Sequence, residues 1–194
     1  MELIFIRHGQ GFHNTDLPDR LNVVNPQLTD KGKDQVEELV SLFSCKDDDI
    51  FIVSPTIRTI ETVNILTSKL SRAKKYISPL VGPRMFPLPE DPELFVSKCD
   101  MNYSFISIES HHRDFTIMNT DDLNLWRDGI NIIPETEFMQ LGHLMVDWIR
   151  KNANRRAFII SHDGTITCYR RLLGESELTR ADFLGEAGCY KYIL

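Results

Sequence analysis

Leu3-Ile4-Phe5-Ile6-Arg7-His8-Gly9-Gln10 is a short apolar run that ends in an arginine and a histidine. Near the other end of the chain, Ala157-Phe158-Ile159-Ile160-Ser161-His162-Asp163-Gly164 has the same design. A short continuous apolar run bounded by polar residues reads as a strand buried on both faces, as in a parallel sheet. Open α/β sheets place ligand chemistry at the carboxyl ends of their strands. Two histidines leaving two such strands therefore predict one site built from both ends of the chain.

Outward from these runs, strand-like and helix-like segments alternate. Thr29 is a good N-cap for a helix to about Phe43, with Val36, Leu39, Val40 and Phe43 as its apolar stripe. Ile50–Val53 reads as a second buried strand, and Pro55 fits the first turn of a helix carrying Ile57, Ile60, Val63, Ile65 and Leu66. A helix is expected from about Glu135 to Lys151, and another after Gly164 with Gly174 as its stop. Cys189–Leu194 is a candidate closing strand. The alternation predicts an α/β fold, a three-layer α/β/α sandwich on a mostly parallel central sheet. Between Gly82 and Pro134 the pattern breaks, with five prolines (Pro83, Pro87, Pro89, Pro92 and Pro134) among mixed polar and aromatic residues. Residues 82–134 read as an insertion over the sheet edge that forms part of a lid, inside a single domain spanning 1–194.

Bulk properties bound the function. A chain of 194 residues with 42% hydrophobic content suits one domain with a sizeable core. The net charge of −6 argues against nucleic acid or an anionic membrane as partner. Cys45, Cys99, Cys168 and Cys189 form no CxxC pair and read as reduced thiols rather than a structural zinc site. The chain opens on a core strand, and no apolar stretch approaches a membrane span, so a soluble cytoplasmic protein is expected.

The polar residues that follow the strands share one chemistry. Arg7-His8, the segment Ser54-Pro55-Thr56-Ile57-Arg58, His162-Asp163 and the loop asparagine Asn14 together supply two guanidinium groups, two imidazoles and an amide. That inventory suits a tetrahedral dianion, since arginine forks bind phosphate oxygens and an imidazole either donates or attacks. Helix N-termini after Pro55 and Gly164 add positive partial charge. Each residue alone has an ordinary reading: a solvated arginine, a strand-end histidine, an aspartate capping a helix. Their joint placement at strand ends carries the argument. His13, His111, His112 and His143 have no comparable context and read as structural or surface residues.

The ordered motifs resemble the histidine phosphatase superfamily, the phosphoglycerate mutase-like fold. They are Arg7-His8-Gly9-Gln10 with Asn14; Pro26-Gln27-Leu28-Thr29 with Gly32 and Gln35; Ser54-Pro55 with Arg58 and Thr62; and Ser161-His162-Asp163-Gly164. Gly9-Gln10-Gly11-Phe12-His13-Asn14 is similar to the phosphatase-leaning branch rather than the glycolytic mutases. The resemblance implies a metal-independent phosphatase without cofactor, acting on small phosphomonoesters. His8 takes the phosphoryl group as nucleophile. Arg7, Asn14, Arg58 and His162 hold the phosphoryl oxygens, and phosphate, sulfate or vanadate occupy the same place. Relatives carry a proton-donating glutamate after the Ser-Pro-x-x-Arg helix, and here Pro83 takes that position. Asp163 beside His162, or Glu90 with its neighbours Asp91 and Glu93, is the substitute this implies. Two alternatives are a mutase-like phosphoryl transferase and a catalytically weak phospho-ligand binding or regulatory protein.

Overall fold

Strand β1 (Glu2–Arg7) explains the layering by its own alternation. Leu3 and Phe5 enter one hydrophobic core, and Ile4 and Ile6 enter another on the opposite face. β2 (Ile50–Val53) and β5 (Arg156–Ser161) divide their residues the same way. Both faces of a strand this apolar must be covered, and helices do so. α1 (Asp30–Phe43) and α2 (Ile57–Leu66) cover one face through Val36, Leu39, Phe43, Ile60, Val63 and Leu66. α5 (Glu135–Asn152) and α6 (Asp163–Leu172) cover the other through Phe138, Met145, Ile149, Ile166 and Tyr169. The computed structural model describes all residues, 1–194, and shows the expected three-layer α/β sandwich.

The sheet has six strands in the order β4-β3-β2-β5-β1-β6. β3 is Lys74–Ile77, β4 is Phe115–Ile117 and β6 is Cys189–Ile193. All pairings are parallel except β1 with β6. β3 and β4 are additions to the sequence reading. β3 begins with two lysines and is half-exposed, so it lacks a buried strand's apolar run. β4 is three residues long and lies within residues 82–134, which thus extend the sheet by an edge strand. α3 (Phe105–His111) and α4 (Leu123–Asp128) occupy the same stretch and bury Ile108 and Trp126 in the core shared with α1 and α2. Pro55 falls outside the first turn of α2. Thr56 is the extended N-cap residue, and the proline before it shapes the strand-to-helix turn instead.

α1 starts where the sequence places it. The Thr29 hydroxyl accepts the Gly32 N–H at 3.0 Å, satisfying one of the helix's free donors. Thr29→Ala is expected to lower stability by about 1 kcal/mol, the scale of a lost cap. Denaturant unfolding measures it, and an unmoved midpoint would remove Thr29 from that role.

Candidate active site

Register, not proximity in sequence, brings the two histidines together. β5 lies between β1 and β2, with Arg7 opposite Ser161 and Val53 opposite Ile160. The next residue of each strand is His8, His162 or Ser54, so these three emerge side by side at one sheet edge. The rings of His8 and His162 lie 5.2 Å apart, centroid to centroid.

His8 is 2% exposed. Its Nδ1 lies 2.7 Å from the Gly9 carbonyl, which only accepts, so Nδ1 carries the hydrogen. Nε2 therefore holds a lone pair, and Arg58 Nε donates to it at 3.2 Å. Burial above all, then the charge of Arg58 and the neighbouring His13, holds the imidazole pKa well below its ordinary value. His162 is also neutral. Arg58 Nη2 faces its Nδ1 at 3.1 Å, which leaves Nε2–H to donate to Ser54 Oγ at 2.8 Å. Burial and Arg58 depress its pKa too.

Arg58, in the first turn of α2, is 1% exposed and links the site. Nε reaches His8, Nη2 reaches His162, and Nη1 donates to the Cys99 carbonyl at 2.7 Å. Burial lowers its pKa to about 10, which leaves it charged at neutral pH. Arg7 is fixed at its tip: Nη1 donates to the Leu184 carbonyl at 2.6 Å, and Nη2 pairs with Asp163 at 3.0 Å. Arg7 Nε is buried without a partner, an orphaned donor of the kind a bound anion satisfies. Asn14 Oδ1 accepts the Gly11 N–H at 3.3 Å, which turns the amide nitrogen into a free donor.

Arg7, His8, Asn14, Arg58, His162 and Asp163 all line one cleft of about 590 Å³. Glu90 is exposed and does not line it; Asp91 and Glu93 are likewise exposed outside it. Two lining residues, His13 and Asp100, escape a sequence reading, and Ser54, part of its motif, gains a specific role. His13 is buried with its ring 5.3 Å from that of His8, and its pKa is lowered to about 3 chiefly by burial. Its place one residue before Asn14 in the same short loop was the available signal. Ser54 orients His162. Asp100 lines the cleft from a loop with no periodic pattern, so nothing in the sequence marks it. No three His, Cys, Asp or Glu side chains gather where they would hold a metal ion.

The remaining motif residues brace the loop that carries His8. Gln35 Oε1 accepts the Gln10 N–H at 2.8 Å, and Glu186 accepts from the side chains of both glutamines. Thr62 Oγ1 accepts the Gly9 N–H at 3.3 Å, and Glu61 accepts the Leu28 N–H at 2.6 Å. The loop passes so close to α1 that a Cβ on Gly9 would lie 2.3 Å from the Gly32 carbonyl oxygen, and one on Gly32 would lie 2.1 Å from that of Gln10. Both positions require glycine for that approach, not for an unusual φ.

Residues 3–93 match the family model described as Histidine phosphatase superfamily (branch 1). No curated protein matches the chain by sequence. Solved structures do. A phosphoserine phosphatase from Entamoeba histolytica, in complex with 3-phosphoglyceric acid, is 18% identical at a TM-score of 0.60, covering 99% of this chain and 90% of its own. A mycobacterial glucosyl-3-phosphoglycerate phosphatase, in complex with VO3, is 14% identical at a TM-score of 0.57, covering 98% and 91%. Identities this low establish a shared fold. The likeness to the histidine phosphatase superfamily read from the motifs is thus borne out by sequence over residues 3–93, and nearly the whole chain shares its fold with these solved structures.

Proposed function

We propose that this chain, with the sequence signature and fold of the histidine phosphatase superfamily, hydrolyses small phosphomonoesters through a phosphohistidine on His8. The observation that supports this most is the state of His8: neutral, its Nδ1–H held by the Gly9 carbonyl, its Nε2 lone pair at Arg58 in the cleft. A neutral imidazole with a fixed tautomer is a competent nucleophile near pH 7. The proteins that share the fold include enzymes named as phosphatases of small phosphorylated metabolites, which agrees with the reading.

Phosphoryl transfer depends on positioning and charge stabilisation more than on covalent help. Arg58 would turn its donors from the imidazoles to the phosphoryl oxygens. Arg7 Nε and the Asn14 amide are further free donors, and Asp163 keeps Arg7 in place. His8 Nε2 attacks phosphorus, the ester bond breaks toward the leaving alcohol, and a proton follows to the departing oxygen. Water then displaces the histidine and releases phosphate. The preorganised guanidinium groups act where charge develops and need no reorganisation at that moment.

A screen of the purified protein against phosphorylated metabolites and an aryl phosphate tests the reading. Turnover is expected to persist after exhaustive chelation with EDTA, because Arg7 and Arg58 supply the positive charge. Loss of activity on chelation, restored by Mg²⁺ or Zn²⁺, would contradict that. Absence of turnover on every substrate, with vanadate or sulfate still bound, would point to a phospho-ligand binding protein instead.

A further inference from the structure

We propose that Asp100 is the general acid that protonates the leaving alcohol. The assignment rests on the phosphatase reading and names the residue that reading lacks. Two carboxylates line the cleft, Asp100 and Asp163. Asp163 is committed on both oxygens: Oδ2 pairs with Arg7 at 3.0 Å, and Oδ1 accepts the Gly164 N–H at 2.7 Å. A carboxylate that accepts twice, once from a guanidinium, has both oxygens engaged and acts as a positioning group.

Asp100 is placed differently. It ends the 3-10 turn Lys98–Asp100, which the Cys99 carbonyl ties to Arg58 Nη1. Its Oδ1 stands 3.7 Å from Arg58 Nη2, outside hydrogen-bond distance, and its other polar neighbour is the Cys99 thiol at 3.8 Å. Arg58 thus presents Nε to the nucleophile and Nη2 toward Asp100. Because a guanidinium is planar and rigid, His8 and Asp100 stand on one small group, with His8 Nε2 3.2 Å from Nε and Asp100 Oδ1 3.7 Å from Nη2. The groups that act on Asp100 are Arg58, Asp163 and Cys99. Burial raises its pKa, Asp163 adds to that, and Arg58 pulls it back, so the protonated form is retained to higher pH than in an ordinary aspartate.

The step balances. His8 Nε2 forms the N–P bond with its lone pair, and the P–O ester bond breaks with its electrons going to the alcohol oxygen. That oxygen takes the Asp100 proton, leaving a carboxylate. In the second step the Asp100 carboxylate removes a proton from water as the new P–O bond forms and the N–P bond breaks, restoring acid and nucleophile.

The test compares leaving groups. Glycerol 2-phosphate leaves as a poor alkoxide and needs the acid; p-nitrophenyl phosphate leaves as a stabilised phenolate and needs little. Asp100→Asn is expected to lower kcat on glycerol 2-phosphate by about 10²–10⁴-fold and on p-nitrophenyl phosphate by less than about tenfold. Asp163→Asn should reduce both in the same proportion. Sulfate affinity and thermal unfolding of Asp100→Asn should match wild type, and Asp100→Ser repeats the comparison if asparagine disturbs the turn. Equal losses of Asp100→Asn on both substrates, no loss on either, or a substrate-dependent loss in Asp163→Asn instead would overturn the assignment. Wild-type protein inactive on both substrates would overturn the phosphatase reading itself and the acid with it, a different result from any of these.

Discussion

His8→Ala is expected to abolish turnover while leaving the fold intact. The loss should be on the order of 10⁵–10⁶-fold in kcat, the scale of deleting a nucleophile that works as part of a unit. The structural effect should be far smaller. The His8 ring makes one backbone hydrogen bond, to Gly9, and such a bond contributes about 0.5–1.5 kcal/mol net. The strand before it is anchored by its own ladder to β5 and β6. Activity and stability should therefore separate cleanly, with unfolding midpoints close and rates far apart. Brief incubation of wild type with substrate, followed by parallel acid and alkaline quenches, should give a phosphoenzyme stable to alkali and lost in acid. His8→Ala should give none. A variant with near-normal turnover, or a phosphoenzyme with the opposite stability, would rule out His8 as the nucleophile.

What made His8 legible is the geometry of parallel sheets. A buried strand of the Leu3–Ile6 kind has only one place to put polar chemistry, its carboxyl end, and the sequence shows that end directly. Arg7 and His162 are read the same way. Arg58 follows because the strand Ile50–Val53 feeds a helix whose first turn faces the same edge. The wall opposite follows no such rule. Cys99 and Asp100 reach the site through a carbonyl hydrogen bond to Arg58 made 41 residues away in sequence. That contact depends on the path of a proline-rich loop, which neither period nor motif encodes. Glu90, an alternative to Asp163 that the resemblance implies, lies on the same stretch and is exposed. β3 escaped because a strand near a sheet edge can carry Lys74 and Lys75, and its composition then says loop. His13 escaped because burial, not type, makes it part of the site.

The same burial predicts acid sensitivity that a bound anion reverses. His8, His13 and His162 all have native pKa values below the ordinary value near 6.5, that of His13 at about 3. As pH falls through 6.5 the unfolded chain gains protons on these residues that the folded chain refuses. Stability is therefore lost as pH falls, from about 6.5 downward. Each histidine adds a slope of about 1.4 kcal/mol per pH unit, so three add about 4 at the steepest. His112, outside the site, adds in the same direction. Asp100 and Glu61, whose values are raised by burial, oppose the trend only nearer the carboxylate range. Sulfate stays a dianion across this window, so it serves as the probe. In the cleft it would offset the charge of Arg58 and Arg7 that helps keep the imidazoles neutral. At about 100 times its dissociation constant it should stabilise the native state by about 2.7 kcal/mol. Protection should grow toward acid pH, because protonated imidazoles bind the dianion more strongly than neutral ones. His13→Gln should reduce the acid slope by about one proton, or about 1.4 kcal/mol per pH unit. Denaturant titrations at pH 7, 6 and 5, with sulfate against chloride at equal ionic strength, measure all of this. A flat stability from pH 6.5 to 5 would mean that the three imidazoles are charged or solvated in the native state. A steep slope that sulfate leaves unmoved would mean that the cleft is not an anion site, and would remove the physical basis for placing a phosphoryl group between Arg58 and His8.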